Sequence, residues 1–290
     1  MTTRDALSLF APATRAWFDS AFAAPTAAQA GAWRAISAGR NVLVVAPTGS
    51  GKTLAAFLWS LDRLANPLTS TDPLVSAGAA GAGDPGRRGC RVLYVSPLKA
   101  LAVDVERNLR TPLAGLRQTA ARLGQPPPQV TVGMRTGDTP AAERRTFART
   151  PPDILITTPE SLFLLLTSAA REALATVETV IIDEVHAVCA SKRGAHLALS
   201  LERLDALLAR PALRIGLSAT VRPVTETARF LGGGAPVEVV QPPATKVIEV
   251  SVEVPVPDMT ALGQQETGDG AALPSIWPAV EERVLELLGD

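Results

Sequence analysis

The stretch APTGSGKT, from Ala46 to Thr53, combines glycines, a lysine and a hydroxyl at a spacing that suits a triphosphate. Gly49 and Gly51 can adopt backbone conformations closed to other residues, so that successive amide groups turn toward phosphate oxygens. Lys52 would place its charge on the β and γ phosphates, and the Thr53 hydroxyl would ligate Mg²⁺. The alternative is a glycine-rich turn with a surface lysine, which the flanking apolar run and helix-compatible segment disfavour. The sequence predicts an ATP and Mg²⁺ site formed by Thr48, Gly49, Ser50, Gly51, Lys52 and Thr53.

Two carboxylates and a histidine follow another apolar run, in the stretch VIIDEVHAV from Val180 to Val188. A phosphate-bound Mg²⁺ needs a carboxylate partner, and hydrolysis needs a base that orients water on the γ phosphate. We assign Asp183 to the metal, through a water molecule, and Glu184 to the attacking water. Alone, such an acidic pair is more typical of a solvated turn, and the upstream phosphate motif reverses that interpretation.

His186 has two possible roles. It is either a satisfied, partly buried histidine or a hydrogen-bonding link between the phosphate site and a second domain. Only the motif context favours the second role. With it, the candidate catalytic residues are Lys52, Asp183, Glu184 and His186.

Short apolar runs that alternate with helical segments must position these residues. The runs are nearly continuous in hydrophobicity, as strands of a parallel sheet covered on both faces require. The clearest helix is 195–208, where leucines recur at intervals of three and four residues, at Leu197, Leu201, Leu204 and Leu208. The pattern predicts an α/β fold, a doubly wound and mostly parallel sheet with ligands at the carboxyl ends of its strands. The predicted strands are 41–46, 91–96, 130–134, 153–158, 179–183, 214–219 and 237–240.

The sequence predicts one large domain, with an insertion inside it and a short segment after it. Residues 66–90 are rich in Gly, Ala, Pro and Ser without a period, which predicts a mobile surface insertion. Residues 1–240 form the predicted main domain. Residues 241–290 are predicted to contain a β-rich piece at 246–256 and a helix with Val280, Val284, Leu287 and Leu288 on one face. They are interpreted as a linker and the start of a second domain that the sequence does not contain.

Composition restricts the class of protein. Lys and Arg together number 28, as do Asp and Glu, so global charge does not recruit nucleic acid and any such binding must be local. The two cysteines, Cys90 and Cys189, are too few for a disulfide framework and favour a reducing compartment. No signal-peptide pattern and no apolar run of membrane-spanning length occurs. We expect a cytoplasmic protein with no membrane contact.

These motifs, with several others in order, resemble the superfamily 2 helicases, which are DEAD/H-box-like motors. The resemblance covers residues 21–220 and implies a RecA-like P-loop domain that hydrolyses ATP. DEVH at 183–186 is similar to motif II and SAT at 218–220 to motif III. The remaining similarities are AFAAPTAAQ (21–29) to the Q motif, SPLKAL (96–101) to motif Ia, RTGDT (135–139) to motif Ib, and TTPESL (157–162) to the nucleic-acid motif that follows.

The resemblance implies roles for single residues. Gln29 would read the adenine edge, with Phe22 packed near the base. Ser218 and Thr220 would couple hydrolysis to movement, although ordinary strand-end hydroxyls are the alternative. Arg193, with Lys192, is a further candidate contact, and a solvated loop explains it equally well. Glu160 would repel phosphate, so we expect it to cap a helix or accept a sugar hydroxyl. The implied nucleic-acid contacts are Pro97, Lys99, Thr136, Gly137, Thr158, Pro159 and Glu160.

Two further stretches, DEVHAVCASKRGAHLALSLERL and SIWPAVEERVLELL, resemble the large helicase-related (Lhr) family. That resemblance implies ATP-driven movement along single-stranded DNA, 3′ to 5′, with unwinding of DNA duplexes or RNA–DNA hybrids and a role in DNA repair. Lhr-type cores continue into a second RecA-like domain with arginine fingers, which this sequence lacks. The resemblance therefore implies that this chain is the ATP-binding half and inactive alone.

Two other classes of function remain open. A P-loop kinase of a small metabolite would need an acceptor pocket and an Arg-rich lid, and the sequence indicates neither. A nucleotide-gated nucleic-acid clamp without turnover would need no catalytic base, so the presence of Lys52, Asp183 and Glu184 counts against it for a longer parent protein.

Overall fold

The computed structural model describes residues 3–66, 89–243, 250–256 and 275–289. Contacts divide the chain into two compact units, Met1–Pro243 and Ala244–Asp290. The predicted surface insertion at 66–90 falls almost entirely outside the described residues.

The first unit contains one parallel sheet of seven strands. The strands are β1 Asn41–Val45, β2 Val92–Val95, β3 Val132–Arg135, β4 Ile154–Thr157, β5 Thr179–Ile182, β6 Leu213–Ser218 and β7 Val237–Val240. Their order across the sheet is β3-β4-β2-β5-β6-β1-β7, and all neighbours run parallel. The doubly wound α/β fold is confirmed, and each predicted strand is present with its ends shifted by at most two residues.

Burial explains why the apolar runs become strands. Every residue of β2 and β4 is buried, whereas β3 and β7, at the edges of the sheet, are only partly buried. Interior parallel strands are covered on both faces, and edge strands are covered less completely. The continuous runs in the sequence therefore mark the centre of the sheet.

Helices cover both faces of the sheet. In its described residues, the helices of the first unit are α1 Pro12–Ala21, α2 Ala27–Ser37, α3 Lys52–Ala65, α4 Lys99–Arg122, α5 Ala141–Arg149, α6 Pro159–Leu166, α7 Val185–Val188, α8 Lys192–Asp205 and α9 Val224–Gly232, with 3₁₀ turns at Arg4–Leu9 and Ala169–Leu174. One core cluster packs α1, α2, α3 and α4 against the sheet around Trp33 and Phe57, and a second cluster contains Leu165 and Leu201 from α6 and α8.

Helix α8 begins and ends earlier than the predicted 195–208. Ser191 caps it, because its side chain accepts a hydrogen bond from the Gly194 amide at 3.1 Å. Its first turn carries Lys192 and Arg193, which are not core residues, so the leucine periodicity that located the helix does not extend to its start.

The second unit is described only in part. Helix α10, Trp277–Gly289, confirms the predicted C-terminal helix, and Arg283 forms an ion pair with Glu253 at 2.6 Å. The predicted β-rich piece is not confirmed in its described part, since residues 250–256 form no strand. Val250, Val252 and Val254 are 80%, 91% and 64% exposed, and a strand needs a paired neighbour that the described residues do not supply.

Candidate functional site

The carboxyl edge of the sheet brings the candidate catalytic residues together. The phosphate loop, Ala46–Thr53, follows β1, and Asp183 follows β5, with only β6 between these strands. The Ala46 amide donates to the carbonyl of Ser218 at 3.1 Å, which fixes the start of the loop to the end of β6. The arrangement agrees with the expectation that ligands of such sheets bind beyond the carboxyl ends of the strands.

The phosphate loop has the backbone geometry that the glycines predict. Gly49 and Gly51 have φ angles of 81° and 77°, in the left-handed region that favours glycine. The Lys52 ammonium donates to the carbonyl of Ala46 and to that of Pro47, the latter at 3.1 Å. Burial lowers the pKa of Lys52, while the nearby Glu184 and Asp183 carboxylates oppose that shift.

The same loop retains unused binding capacity. The hydroxyl of Ser50 is buried and has no hydrogen-bond partner within the described residues. A side chain added at Gly49 would meet nothing within 4 Å, so the loop borders open space at that point. A buried polar group without a partner is costly, and a phosphate oxygen would satisfy it. These residues therefore fit a phosphate group.

Gln29 holds the phosphate loop from the side of α2. Its side-chain oxygen accepts from the Thr26 amide at 2.9 Å and its nitrogen donates to the carbonyl of Gly51 at 3.3 Å. The Thr26 hydroxyl donates to the carbonyl of Ser50 at 3.0 Å and completes a capping box with Gln29. The Gln29 amide keeps one free donor and one free acceptor site, so its contact with adenine stays a prediction.

Phe22 lies beyond the end of α1. Its ring is 4.9 Å from that of Phe18, and the residue is 42% exposed. It therefore presents an apolar surface to solvent, and its packing against a base also stays a prediction.

Asp183 is held by two donors. Its Oδ1 accepts from the Glu184 amide at 3.0 Å, and its Oδ2 accepts from the hydroxyl of Tyr94, a residue that the sequence analysis missed. Burial, followed by the charge of Asp183, raises the pKa of Tyr94, so its hydroxyl remains a donor at neutral pH. Tyrosine at a buried position needs a polar partner, and this requirement was the only available signal in the sequence.

Glu184 has an unusual backbone. Its φ of 44° and ψ of 47° are left-handed, and it is the only non-glycine residue with a positive φ in the part of the chain that the structure describes. For such a residue the conformation costs about 1–2 kcal/mol. Its carboxylate lies 3.3 Å from Nδ1 of His186. Backbone strain of this kind concentrates at functional sites.

His186 links the end of β5 to the end of β6. Its Nδ1 lies 3.1 Å from the Ser218 hydroxyl and accepts from the Ala219 amide at 3.3 Å. The structure thus connects His186 with Ser218, whereas Thr220 is exposed and contributes nothing to this link.

The candidate nucleic-acid residues meet on the same edge, beyond β2, β3 and β4. Lys99 forms an ion pair with Asp138 at 2.7 Å, and a side chain added at Gly137 would lie 3.7 Å from the Lys99 ammonium. Arg193 donates to the carbonyl of Pro97 at 2.6 Å. The structure therefore joins the loops that follow β2 and β3 to the start of α8.

Glu160 pairs with Arg193, which explains a carboxylate on this surface. Nη2 of Arg193 donates to Oε2 of Glu160 at 3.1 Å, and its Nε donates to Oε1. The hydrogen bond from Arg193 lowers the pKa of Glu160. Of the two roles expected for Glu160, the helix cap belongs to Thr158, because its hydroxyl accepts from the Ser161 amide at 3.4 Å, and the contact with a sugar hydroxyl stays a prediction.

Four of the predicted contacts are poorly placed for a side-chain role. Pro97, Thr136, Thr158 and Pro159 are buried, so only their backbone or immediate neighbours can face a ligand. The accessible side chains among these candidates are Lys99, Glu160, Lys192 and, in part, Arg193.

Metal-binding capacity at the edge is limited to few ligands. Among the residues with described positions, no group of three or more His, Cys, Asp and Glu side chains could hold a metal ion. Mg²⁺ is typically bound through one or two carboxylates together with substrate phosphates and water. Thr53 and Asp183 fit that pattern, and a closed metal cage does not.

Fold and site together define a P-loop nucleotide-binding domain of the RecA-like type. The sequence profile of the DEAD/DEAH box helicase family matches residues 26–228, and the chain belongs to this family.

Known relatives agree with the resemblance to the Lhr group. The chain is 62% identical over 290 residues to the Lhr helicase/probable uracil glycosylase of Mycolicibacterium smegmatis, with 99% of this chain covered. It is 53% identical over 283 residues to the Lhr helicase/uracil glycosylase of Escherichia coli, with 96% covered. In both comparisons the chain spans only 18% of the curated relative.

A solved structure matches over nearly the whole chain. Mycobacterium smegmatis helicase Lhr, bound to ssDNA and AMP-PNP, has a TM-score of 0.80 at 61% identity and covers 98% of this chain and 33% of its own. The RecA-like fold and the family resemblance are thereby confirmed. Separately, no helix in the described residues is long and apolar enough to cross a membrane.

Proposed function

We propose that this chain is the ATP-binding half of a motor that hydrolyses ATP to move along a single strand of nucleic acid. The observation that carries the proposal is the meeting of the phosphate loop, the acids after β5 and the His186–Ser218 link at one edge of one sheet. A small-molecule kinase has no use for that link.

The roles follow from position. Lys52 neutralises the phosphates, and Glu184 orients and deprotonates the attacking water. Thr53 and Asp183 hold Mg²⁺, which when bound neutralises the charge that develops on the phosphates. Gln29 and Phe22 contact the adenine.

The nucleic-acid strand lies across the loops that follow β2, β3 and β4. Lys99, Gly137 and the Pro97–Arg193–Glu160 group contact its phosphates and sugars. The smegmatis relative was solved with ssDNA, which supports single-stranded DNA as the strand. We extend the proposal to unwinding of RNA–DNA hybrids and to DNA repair in the cytoplasm.

Residues 1–240 act as the first RecA-like domain and residues 241–290 lead into a second one. Arginine fingers from that second domain would stabilise the transition state and are worth about 10³–10⁵ in rate. We therefore expect the present chain to bind ATP weakly, to hydrolyse it near background and not to unwind duplexes.

The test compares residues 1–290 with the longer parent protein. ATP turnover is measured with and without single-stranded DNA, for the wild type and for Glu184→Gln. We expect strand-stimulated turnover in the parent only, and its loss in the variant with ATP binding retained. Robust stimulated turnover by residues 1–290 would contradict the two-domain proposal. ATP binding without turnover in the parent would favour the clamp.

A further inference from the structure

Tyr94 is the only tyrosine of the chain, and it is fully buried at the centre of the sheet. It lies on β2, directly beside β5, where it pairs in register with Ile181. Its ring stacks on Phe57 of α3, with the centroids 4.9 Å apart and the planes at 23°. Packing alone would be satisfied by phenylalanine here, so the hydroxyl needs a separate explanation.

Among the described residues, the hydroxyl has one hydrogen-bond partner, Oδ2 of Asp183. The other carboxylate oxygen, Oδ1, accepts from the Glu184 amide at 3.0 Å, so each oxygen of Asp183 receives one hydrogen bond from the protein. A carboxylate offers about four acceptor sites, which leaves one on each oxygen for a metal ion or its water. Two fixed donors therefore determine how Asp183 is turned.

The same tyrosine connects the acid to the phosphate loop. Phe57, its stacking partner, lies in α3, the helix that begins with Lys52 and Thr53. The tyrosine ring packs between one face of the sheet and this helix, and it has few alternative positions in a packed core. A displacement of α3 is therefore transmitted to the carboxylate through a rigid ring.

We infer that Tyr94 is a positioning residue, whose hydroxyl fixes Asp183 in the orientation that receives magnesium and ties that orientation to the phosphate-loop helix. The inference rests on the proposed nucleotide site. It assigns a role in metal-dependent nucleotide binding to a residue that touches neither the metal nor the nucleotide.

The experiment measures the dissociation constant of a fluorescent ATP analogue with Mg²⁺ and with EDTA, for this chain. The ratio of the two constants isolates the contribution of the metal. In Tyr94→Phe we expect this ratio to fall about tenfold while the constant in EDTA changes less than twofold. Ser200→Ala is the matched control, because it removes another buried hydroxyl, bonded to the His196 carbonyl at 2.9 Å within α8. It should leave the ratio unchanged.

A double-variant cycle separates positioning from a general structural effect. Asp183→Asn should abolish the magnesium effect, and adding Tyr94→Phe to it should change nothing further. A change in the EDTA constant when Tyr94→Phe is added to Asp183→Asn, or an unchanged ratio in Tyr94→Phe alone, would overturn the inference. If Asp183→Asn keeps the magnesium effect, the proposed metal site itself is wrong.

A spectroscopic measurement covers the case in which Tyr94→Phe does not fold. Incorporation of 3-fluorotyrosine labels only position 94, so the ¹⁹F spectrum contains one protein signal. We expect that signal to shift on addition of Mg²⁺ with ATP, and not with ATP in EDTA. A signal that ignores magnesium would count against the inference.

Discussion

At the scale of single residues, Glu184 combines a catalytic assignment with a strained backbone. Its left-handed conformation is one that asparagine tolerates better than glutamate or glutamine. Glu184→Asn and Glu184→Gln both remove the carboxylate, but only the asparagine relieves the strain. We expect Glu184→Asn to unfold at a temperature about 2–4 °C above Glu184→Gln, as follows from about 1 kcal/mol in a domain of this size. Differential scanning calorimetry checks the difference.

The same two substitutions at an ordinary helical position serve as the control. Glu106 lies within α4, where asparagine has the lower helix propensity. There Glu106→Asn should melt below Glu106→Gln, so the order of the two variants reverses. An equal order at both positions would show that the Glu184 backbone is not strained.

Residue types and spacing predicted the phosphate loop and the acids, because their chemistry depends on local order in the chain. Three features were not predictable in that way. The Tyr94 hydroxyl donates to Asp183 from a different strand, Arg193 pairs with Glu160 between α8 and α6, and Gln29 donates to the carbonyl of Gly51. Each is a contact between segments far apart in sequence, which the composition of either segment alone does not indicate.

At the scale of elements, the N-terminal helix α1 is attached to α3 through a buried acid. Asp62 is 4% exposed, and its carboxylate accepts from the amide of Ala11, the N-cap residue of α1, at 3.1 Å. Burial raises the pKa of Asp62 despite that bond. The folded state therefore favours the protonated form of Asp62 more than the unfolded state does.

This shift gives a pH dependence with a definite sign. A raised pKa contributes stability that is present below the unfolded pKa, about 3.9, and is lost as pH rises through the folded pKa. Asparagine copies the neutral acid and keeps an acceptor for Ala11. We expect Asp62→Asn to have a higher free energy of urea unfolding than the wild type at pH 8, and the gap to close toward pH 4. A less stable variant at pH 8 would contradict this account.

Where the loops after β2 and β3 meet, the carboxylate of Asp138 occupies Lys99, which is also a predicted contact of the nucleic acid. The side chain of Asp138 is 75% exposed and pairs with the Lys99 ammonium at 2.7 Å. Asp138→Asn frees that charge for a phosphate. We expect several-fold tighter binding of single-stranded DNA by the parent protein, with a salt dependence steeper by about one phosphate contact. Fluorescence anisotropy at several salt concentrations measures both.

Glu178→Gln is the control for that substitution. It removes one negative charge from an ion pair with Arg91, 2.9 Å apart, at the opposite edge of the sheet, where β2 and β5 begin. Affinity and salt slope should remain those of the wild type. If both substitutions strengthened the binding of single-stranded DNA equally, the cause would be the net charge and not the release of Lys99.

At the scale of the whole molecule, Arg214 joins the sheet to two helices on one face. The side chain, 5% exposed, lies on β6 and bonds Glu202 at 2.8 Å and Asp205 at 2.6 Å, both on α8. It also donates to the carbonyl of Leu231 in α9 at 3.0 Å. The apolar run in the sequence predicted the strand 214–219 with Arg214 at its start, but a pattern of side-chain types does not indicate where a buried charge finds its partners.

Removing this arginine should weaken the whole first unit. Arg214→Met leaves Asp205 without its buried partner, and we expect a loss of about 3–5 kcal/mol in the free energy of unfolding by urea. Arg40→Met is the comparison, because the Arg40 side chain is 56% exposed in its ion pair with Glu238. That change should cost less than about 1 kcal/mol. Similar losses for both variants would show that burial does not set the importance of Arg214.

The position of β6 has a consequence for the order in which the molecule is made. Residues 46–53 and residues 183–186 are synthesised before residues 213–218. Strand β6, which residues 213–218 form, nevertheless lies between β1 and β5, the strands that lead into the two earlier segments. A nascent chain that stops short of Ser218 has no means of holding the phosphate loop beside the acids. During synthesis, the complete triphosphate site therefore forms late and in a single step, when β6 pairs with β1 and β5.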